Sequence, residues 1–292
     1  MPKRDLATIA LLGVDTALGL AGAFLEISLA DVALPKPRPE PTGAFRIVHI
    51  NKPGRARMPI DTATFADDML KHFADPEAVA RYTEGPARFL PGLDGLHRMT
   101  SVLLAERAPD DAKVLVLGAG GGLELKALAE AHPGWTFVGV DPAPAMLGLA
   151  ERTLGPLVDR VELVEGYIDH APEGPFDAAT CLLTLHFLDE RERERTVRQI
   201  HRRLKPGAPF VAAHGSFPQE AGDRDLWLDR YAAYAVASGV DREIAVSARD
   251  AISANVPMFA PEQDERILRA GGFSDVQPFF SAFTWRGWVA HA

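Results

Sequence analysis

One cysteine, Cys181, is all the thiol that 292 residues contain, so no intrachain disulfide holds this fold. It stands in an apolar run, which points to a core position, a reducing compartment and a cytoplasmic location. Nine histidines are scattered without the spacing of zinc ligands, and no metal site is expected. The Ala/Leu-rich first 34 residues lack the roughly 18 uncharged apolar positions of a membrane span, because Asp15 and Glu26 interrupt them. Asp5 spoils the basic start, and no clear cleavage site follows, so a secretory signal is not expected either.

Positive charge is also scarce. The net charge is −9, and residues 1–57 take eight of the Lys/Arg against five Asp/Glu, leaving 23 against 35 in the rest. A body that acidic repels a phosphate backbone, so nucleic acid is a poor partner. One basic run could supply a contrary face: Arg191, Arg193, Arg195, Arg198, Arg202, Arg203 and Lys205. Asp189, Glu190, Glu192 and Glu194 interleave with it, and Glu194 precedes Arg198 by one helical turn, so a salt-bridged solvent face is the expectation.

With 47% hydrophobic residues the chain can bury one large core. Residues 1–57, ending in the segment Pro35-Lys-Pro-Arg-Pro-Glu-Pro41 and its sequel, read as an appendage with a Pro-rich linker, weakly helical or disordered. A domain is expected over 58–292, with a helix start at Asp61 or Thr62 and helices over 63–107. Alternating units follow, with strands at Lys113–Leu117, Thr136–Val140, Val161–Glu165, Ala178–Leu182 and Pro209–His214. That rhythm predicts parallel βαβ units wound on both faces of one sheet. After a helix over Pro261–Ala270, the runs 275–285 and 288–291, linked by Arg286-Gly287, predict an antiparallel hairpin. A longer helical insert is expected over 216–257, with Trp227, Arg230, Tyr231 and Tyr234 at helical spacing.

The richest signal is Val114-Leu-Val-Leu-Gly-Ala-Gly-Gly-Gly122, then a helical run, then Val138-Gly-Val-Asp141. Glycines after a buried strand let the backbone lie against a ligand, and the next helix presents unpaired amides. Asp141, 23 residues beyond Gly118, ends the next strand, where its two oxygens can accept from both hydroxyls of a ribose. It is equally placed to cap the helix after Pro142. A nicotinamide cofactor calls for Gly-x-Gly-x-x-Gly, and here the sixth position is Leu123.

The turn, with Gly139-Val-Asp-Pro-Ala-Pro-Ala-Met146, Val164-Glu-Gly-Tyr-Ile-Asp169, the run 176–188, Leu204-Lys-Pro-Gly207 and Ala270-Gly-Gly-Phe-Ser-Asp-Val276, resembles class I S-adenosylmethionine-dependent methyltransferases over about residues 80–292. The resemblance implies a doubly wound, mostly parallel seven-stranded α/β sheet, Rossmann-like, closed by an antiparallel C-terminal hairpin. It implies S-adenosyl-L-methionine as cofactor and a small-molecule acceptor, with no membrane partner. Gly118, Ala119 and Gly120 would pass beneath the methionine part, and Asp141 would hold the ribose. Pro142 and Met146 would border the adenosine, Tyr167 and the amide of Ile168 would meet the adenine, and the backbone of Leu182 would lie near the methionine end. The family usually carries an acidic residue where Val116 stands, to orient the cofactor's ammonium, so Glu124 or a backbone carbonyl would substitute. It often has Asp where Tyr167 stands.

Leu90-Pro-Gly-Leu-Asp-Gly-Leu-His-Arg98, Thr184-Leu-His-Phe-Leu188 and Phe279-Phe-Ser-Ala-Phe-Thr-Trp285 further resemble the branch containing carboxy-S-adenosylmethionine synthase of tRNA wobble-uridine modification. Leu93 occupies the place of an aromatic cofactor contact in that synthase. No Asn-Pro-Pro-Tyr motif of amino-group methylation is present. His186 and His214, after the fourth strand and at the end of the fifth, are the candidate general bases. Methyl transfer leads; a carboxy-S-adenosylmethionine synthase-like or tRNA-modification enzyme, a non-catalytic cofactor-binding regulatory protein and an NAD(P)-dependent reductase are the competing readings.

Overall fold

A computed structural model describes residues 85–292. The 1–57 appendage, the expected helix start at Asp61 or Thr62, and residues 63–84 of the helical region lie outside the described residues. Within them, α1 (Gly85–Phe89) and α2 (Leu93–Ala105) lead into β1 (Lys113–Leu117), α3 (Leu123–Ala131), β2 (Thr136–Asp141), α4 (Pro144–Leu154) and β3 (Val161–Glu165). Then come β4 (Ala178–Leu182), α5 (Glu190–Arg202), β5 (Pro209–Gly215), α6 (Asp223–Ala237), α7 (Arg242–Asn255), α8 (Pro261–Ala270), β6 (Ser274–Ala282) and β7 (Trp285–His291).

The seven strands form one sheet in the order β3-β2-β1-β4-β5-β7-β6. The first five are parallel, and β7 enters antiparallel between β5 and β6. Alternate residues of each central strand serve opposite cores. Val114 and Val116 face α2 and α3 with Ala178, Leu182, Val211 and Ala213. Leu115 and Leu117 face α5 and α8 with Ala179, Cys181 and Ala212. Burial on both faces is why these strands read as unbroken apolar runs. Cys181 is buried in the second of these cores.

The hairpin differs from its expected form. Its turn is Phe283-Thr284, with Phe283 at φ +51°, whereas Arg286 and Gly287 lie inside β7, paired with Ser281 and Phe280. Gly287 marks a close approach: a Cβ there would stand 2.9 Å from the ring of Phe279. The glycine that resembles a turn signal in sequence is a strand residue making room for an aromatic ring.

The basic run also divides differently. Glu194 pairs with Arg198, and Arg195 bonds Glu192 and Asp169, each at 2.8 Å, on the exposed face of α5. Arg193 instead lies on the buried stripe of α5 with Thr196, Val197 and Ile200, and Arg203 is buried just beyond the helix. The spacing of Arg193 from Thr196, Val197 and Ile200 is the signal for burial; the surrounding charges mask it.

Candidate functional site

The site grows from the carboxyl end of β1. Gly118 (φ +80°) opens a turn whose first two amides, of Gly118 and Ala119, donate to the Val140 carbonyl at 2.8 and 3.0 Å. The next residue on β2, Asp141, completes the anchorage. Its Oδ2 accepts from the Gly120 amide and its Oδ1 from the Ala143 amide, both at 2.9 Å. Each oxygen thus uses one backbone donor and keeps capacity for another, which suits a vicinal diol. The bond to Ala143 is a local turn at the entry to α4. The bond to Gly120 has nothing to do with that helix, so Asp141 is more than a cap. Burial pushes its carboxyl above the ordinary range, while the Ala143 and Gly120 amides pull it back.

The other wall comes from the end of β4. Leu182 is its last residue, and Leu183 adopts φ +57°, a left-handed conformation that costs a leucine on the order of 1 kcal/mol. The Leu183 amide donates to the Ala213 carbonyl at 2.6 Å, which holds the bend in place. Thr184 follows, its hydroxyl donating to the Leu182 carbonyl at 2.9 Å. Its side chain covers Gly118, where an added Cβ would overlap the Thr184 hydroxyl and stand 2.9 Å from its Cβ. Gly118→Ala therefore combines a positive φ with overpacking and should destabilise the fold by about 2–4 kcal/mol. A denaturation midpoint equal to that of the wild type would contradict this packing.

Leu183 and Thr184 lie in motifs that the sequence offers, but neither is among its candidate site residues. Leucine gives no sign of a left-handed conformation in sequence. The single hydroxyl in Leu182-Leu-Thr-Leu185 is the available clue to Thr184.

Glu124, in the first turn of α3, is buried beside these elements, and its Oε1 has no hydrogen-bond partner. Burial raises its pKa from 4.5 to about 7, opposed only by the Thr180 hydroxyl. A carboxyl raised in the folded state is stabilising in its protonated form, so the folded chain holds a proton that the unfolded chain releases. The sign follows: stability is full below pH 4.5 and is lost as pH rises towards 7, by about 3 kcal/mol at about 1.4 kcal/mol per pKa unit. Glu124→Gln should flatten that slope in thermal melts of the unliganded chain between pH 5 and 8. Parallel curves for variant and wild type would contradict it.

The adenine-side candidates sit along the same edge. The Gly166 amide donates to the Asp141 carbonyl at 3.0 Å, which sets Tyr167 just beyond the end of β2. Tyr167 is 46% exposed, and its amide donates to His170 Nδ1 at 3.2 Å. The Ile168 side chain is buried in the α5–α8 core. Pro142 is half-buried, and Met146 packs with Ala143 and Leu149 in a small cluster of its own.

The two histidines have different surroundings. His186, in the short 3-10 turn Leu185–Phe187 after β4, accepts weakly from the Gly215 amide at 3.4 Å and meets Trp285 edge-on. Burial, then His214 and Arg193, keep it well below its ordinary pKa, so it is neutral at pH 7. His214 lies on the opposite face of the sheet. Its Nε2 is 3.2 Å from Asp264 Oδ1, its ring packs on Trp288, and burial lowers its pKa despite Asp264.

In α6 the aromatic stripe makes packing contacts. Tyr231 is buried between Phe89 and Trp285, while Trp227 carries Arg230 and Arg286 over its ring at 4.5 and 5.2 Å. The Trp285 indole donates to the Phe89 carbonyl at 3.1 Å, tying the hairpin to α1.

Comparison with known proteins matches these features. The methyltransferase domain family fits residues 115–210, from β1 to the start of β5. The carboxy-S-adenosyl-L-methionine synthase of Chromohalobacter salexigens is 27% identical over 229 residues, covering 76% of this chain and 84% of that protein. That of Campylobacter lari is 21% identical over 216 residues, covering 74% and 92%. Among solved structures, PigF with SAH aligns with TM-score 0.58 at 19% identity, over 77% of this chain and 62% of that one. Human N-acetylserotonin methyltransferase in complex with SAM aligns with TM-score 0.56 at 14% identity, over 79% and 59%. The chain thus spans less than two thirds of either solved structure, and the likeness to both is one of fold. No helix among the described residues is long and apolar enough to cross a membrane. In its matched domain, its strand order and its curated relatives, the chain is similar to the class I S-adenosylmethionine-dependent methyltransferases, carboxy-S-adenosyl-L-methionine synthase among them.

Proposed function

We propose that this chain transfers a methyl group from S-adenosyl-L-methionine to a small organic acceptor, through oxygen, nitrogen or carbon. The observation that carries the reading is the pairing of Asp141 with Gly120, which makes one unit of the glycine turn and the carboxylate expected to face a ribose. The residues present fit the cofactor: a turn with glycine at 118 and at 120 to 122, a carboxylate with two open acceptor positions, and a buried carboxyl oxygen without a partner. Asp141 would hold the ribose, Gly118 to Gly120 would lie under the methionine part, and Tyr167 with the Ile168 amide would meet the adenine.

Bound there, the cofactor supplies a methyl group activated on a sulfonium. The chain's own work is positioning, which is most of what an in-line displacement asks of a protein. Where the acceptor must lose a proton, His186 fits better than His214: it is neutral and on the turn that borders the site, whereas His214 lies against Asp264 and Trp288.

The curated relatives favour a second reading, carboxy-group chemistry on the same cofactor, against which stands Leu93, a buried aliphatic where an aromatic contact is expected. Mass spectrometry of the modified cofactor after incubation would separate the two.

Calorimetric titration with S-adenosylmethionine, S-adenosylhomocysteine and NADH tests the cofactor class. The first two should bind and NADH should not. Binding of NADH alone would assign a reductase.

A further inference from the structure

The described part of the molecule contains one buried carboxyl with an unmatched oxygen at the edge of the glycine turn, and the turn's other bonds leave it unused. Glu124 lies on α3, two residues past Gly122, and is 7% exposed. Its neighbour across the core is Thr180 on β4, whose register partner on β1 is Val116, two residues before Gly118. The carboxyl therefore occupies the same side of the sheet as the apolar Val116 side chain, near the carboxyl end of β1 where the turn begins. Thr184, which covers Gly118, closes the far side.

A buried carboxylate with an unsatisfied oxygen is costly unless a cation or donor reaches it. No Lys or Arg among the described residues does so; the nearby Thr180 hydroxyl favours the charged form, but it makes no hydrogen bond of its own. The groups on the elements around α3 are otherwise committed. Asp141 of β2 bonds Gly120 and Ala143. Arg160, after α4, donates to the carbonyls of Ala129, His132 and Trp135, and His132 pairs with Ser101 of α2. His97 of α2 is itself held below its ordinary pKa by burial, with Asp94 opposing. Cys181 of β4 is a buried thiol pushed up by burial and then by Glu124.

We infer that Glu124 is the counter-charge for a ligand ammonium seated over the glycine turn, taking the role that Val116 cannot fill. The inference rests on the proposed cofactor reading and deepens it: the ligand's α-amino group, rather than its adenosine, is what Glu124 recognises. In the unliganded chain burial leaves the carboxyl about half protonated at pH 7, and arrival of the cation displaces that share of the proton to solvent. Glu124 is a binding and positioning residue, not a participant in methyl transfer.

The test uses the full chain and two probes. S-Adenosylhomocysteine carries the ammonium; 5′-methylthioadenosine has the same adenosine and thioether without it. Glu124→Gln should weaken S-adenosylhomocysteine tenfold or more and leave 5′-methylthioadenosine within twofold, the second ligand also reporting that the variant is folded. Equal losses for both ligands, or for neither, overturn the inference while leaving the cofactor reading standing. If the wild type binds neither ligand, both readings fall. A second measurement needs no variant. Titration of the wild type at pH 7 in buffers of different ionisation enthalpy should show more proton release with S-adenosylhomocysteine than with 5′-methylthioadenosine, because protonation changes at Asp141 are common to both. Identical proton release with the two ligands overturns the inference.

Discussion

Asp264→Ala should lower stability by about 3–5 kcal/mol, because it strands the buried charge of Arg193. The two side chains meet at 2.6 Å and are each 1% exposed, so neither partner has water to fall back on. Burial alone would push Asp264 up, but His214, Arg193 and Ser216 together hold it below the ordinary carboxylate range. The charge belongs to the Arg193–Asp264 pair, with His214 a neutral neighbour.

Arg193 also donates to the Leu188 carbonyl at 3.1 Å and the Pro257 carbonyl at 3.0 Å, and its guanidinium lies 4.2 Å over Phe259. It therefore joins the segment after β4 to α8 and to the chain leaving α7. Arg193→Met combined with Asp264→Leu removes both charges at similar volume and should cost less than Asp264→Ala alone, although the two carbonyl bonds are lost. Denaturant unfolding of the two variants decides the point. A double variant less stable than the single one would show that the stranded charge is not the main source of the loss.

The second large effect falls on binding. Asp141→Ala should weaken S-adenosylhomocysteine by at least tenfold, from loss of charged acceptors worth about 1.5–3 kcal/mol. It also strands the amides of Gly120 and Ala143, so the turn loses an anchor along with the ligand. Asp141→Asn separates these contributions, since an amide has one acceptor oxygen where the carboxylate has two. The asparagine variant should keep most of the stability and lose most of the affinity. If the alanine variant binds as tightly as the wild type, Asp141 serves only the backbone around it.

Most of the parallel half of the sheet is readable in sequence because burial on both faces turns β1, β2, β4 and β5 into short apolar runs bounded by turn residues, whereas the edge strand β3 is only partly buried and carries two glutamates. Lys113–Leu117, Val161–Glu165 and Ala178–Leu182 match their expected limits, and β2 and β5 each extend one residue further, to Asp141 and Gly215. The hairpin is readable as a hairpin but not in its turn. Phe283 at positive φ has no sequence signal, while Gly287 has the strongest local one and lies in a strand.

The same limit applies to the site. Glycines and a carboxylate at strand ends announce themselves by residue type, so Gly118, Gly120 and Asp141 can be named and do meet. Leu183 and Thr184 act through backbone conformation and close packing against Gly118, which spacing along the chain does not encode. Arg193 shares helical spacing with Thr196, Val197 and Ile200, but the surrounding charges mask that signal. Its burial depends on Asp264, 71 residues away, and no local pattern links the two.

A crystal structure of the full chain with S-adenosylhomocysteine is the most direct test of the glycine turn as the cofactor site. It should show both ribose hydroxyls bonded to Asp141, the amino-acid part lying on Gly118 to Gly120, and the ammonium facing Glu124. Clear density for the ligand elsewhere, with Asp141 bonded only to Gly120 and Ala143, would contradict it.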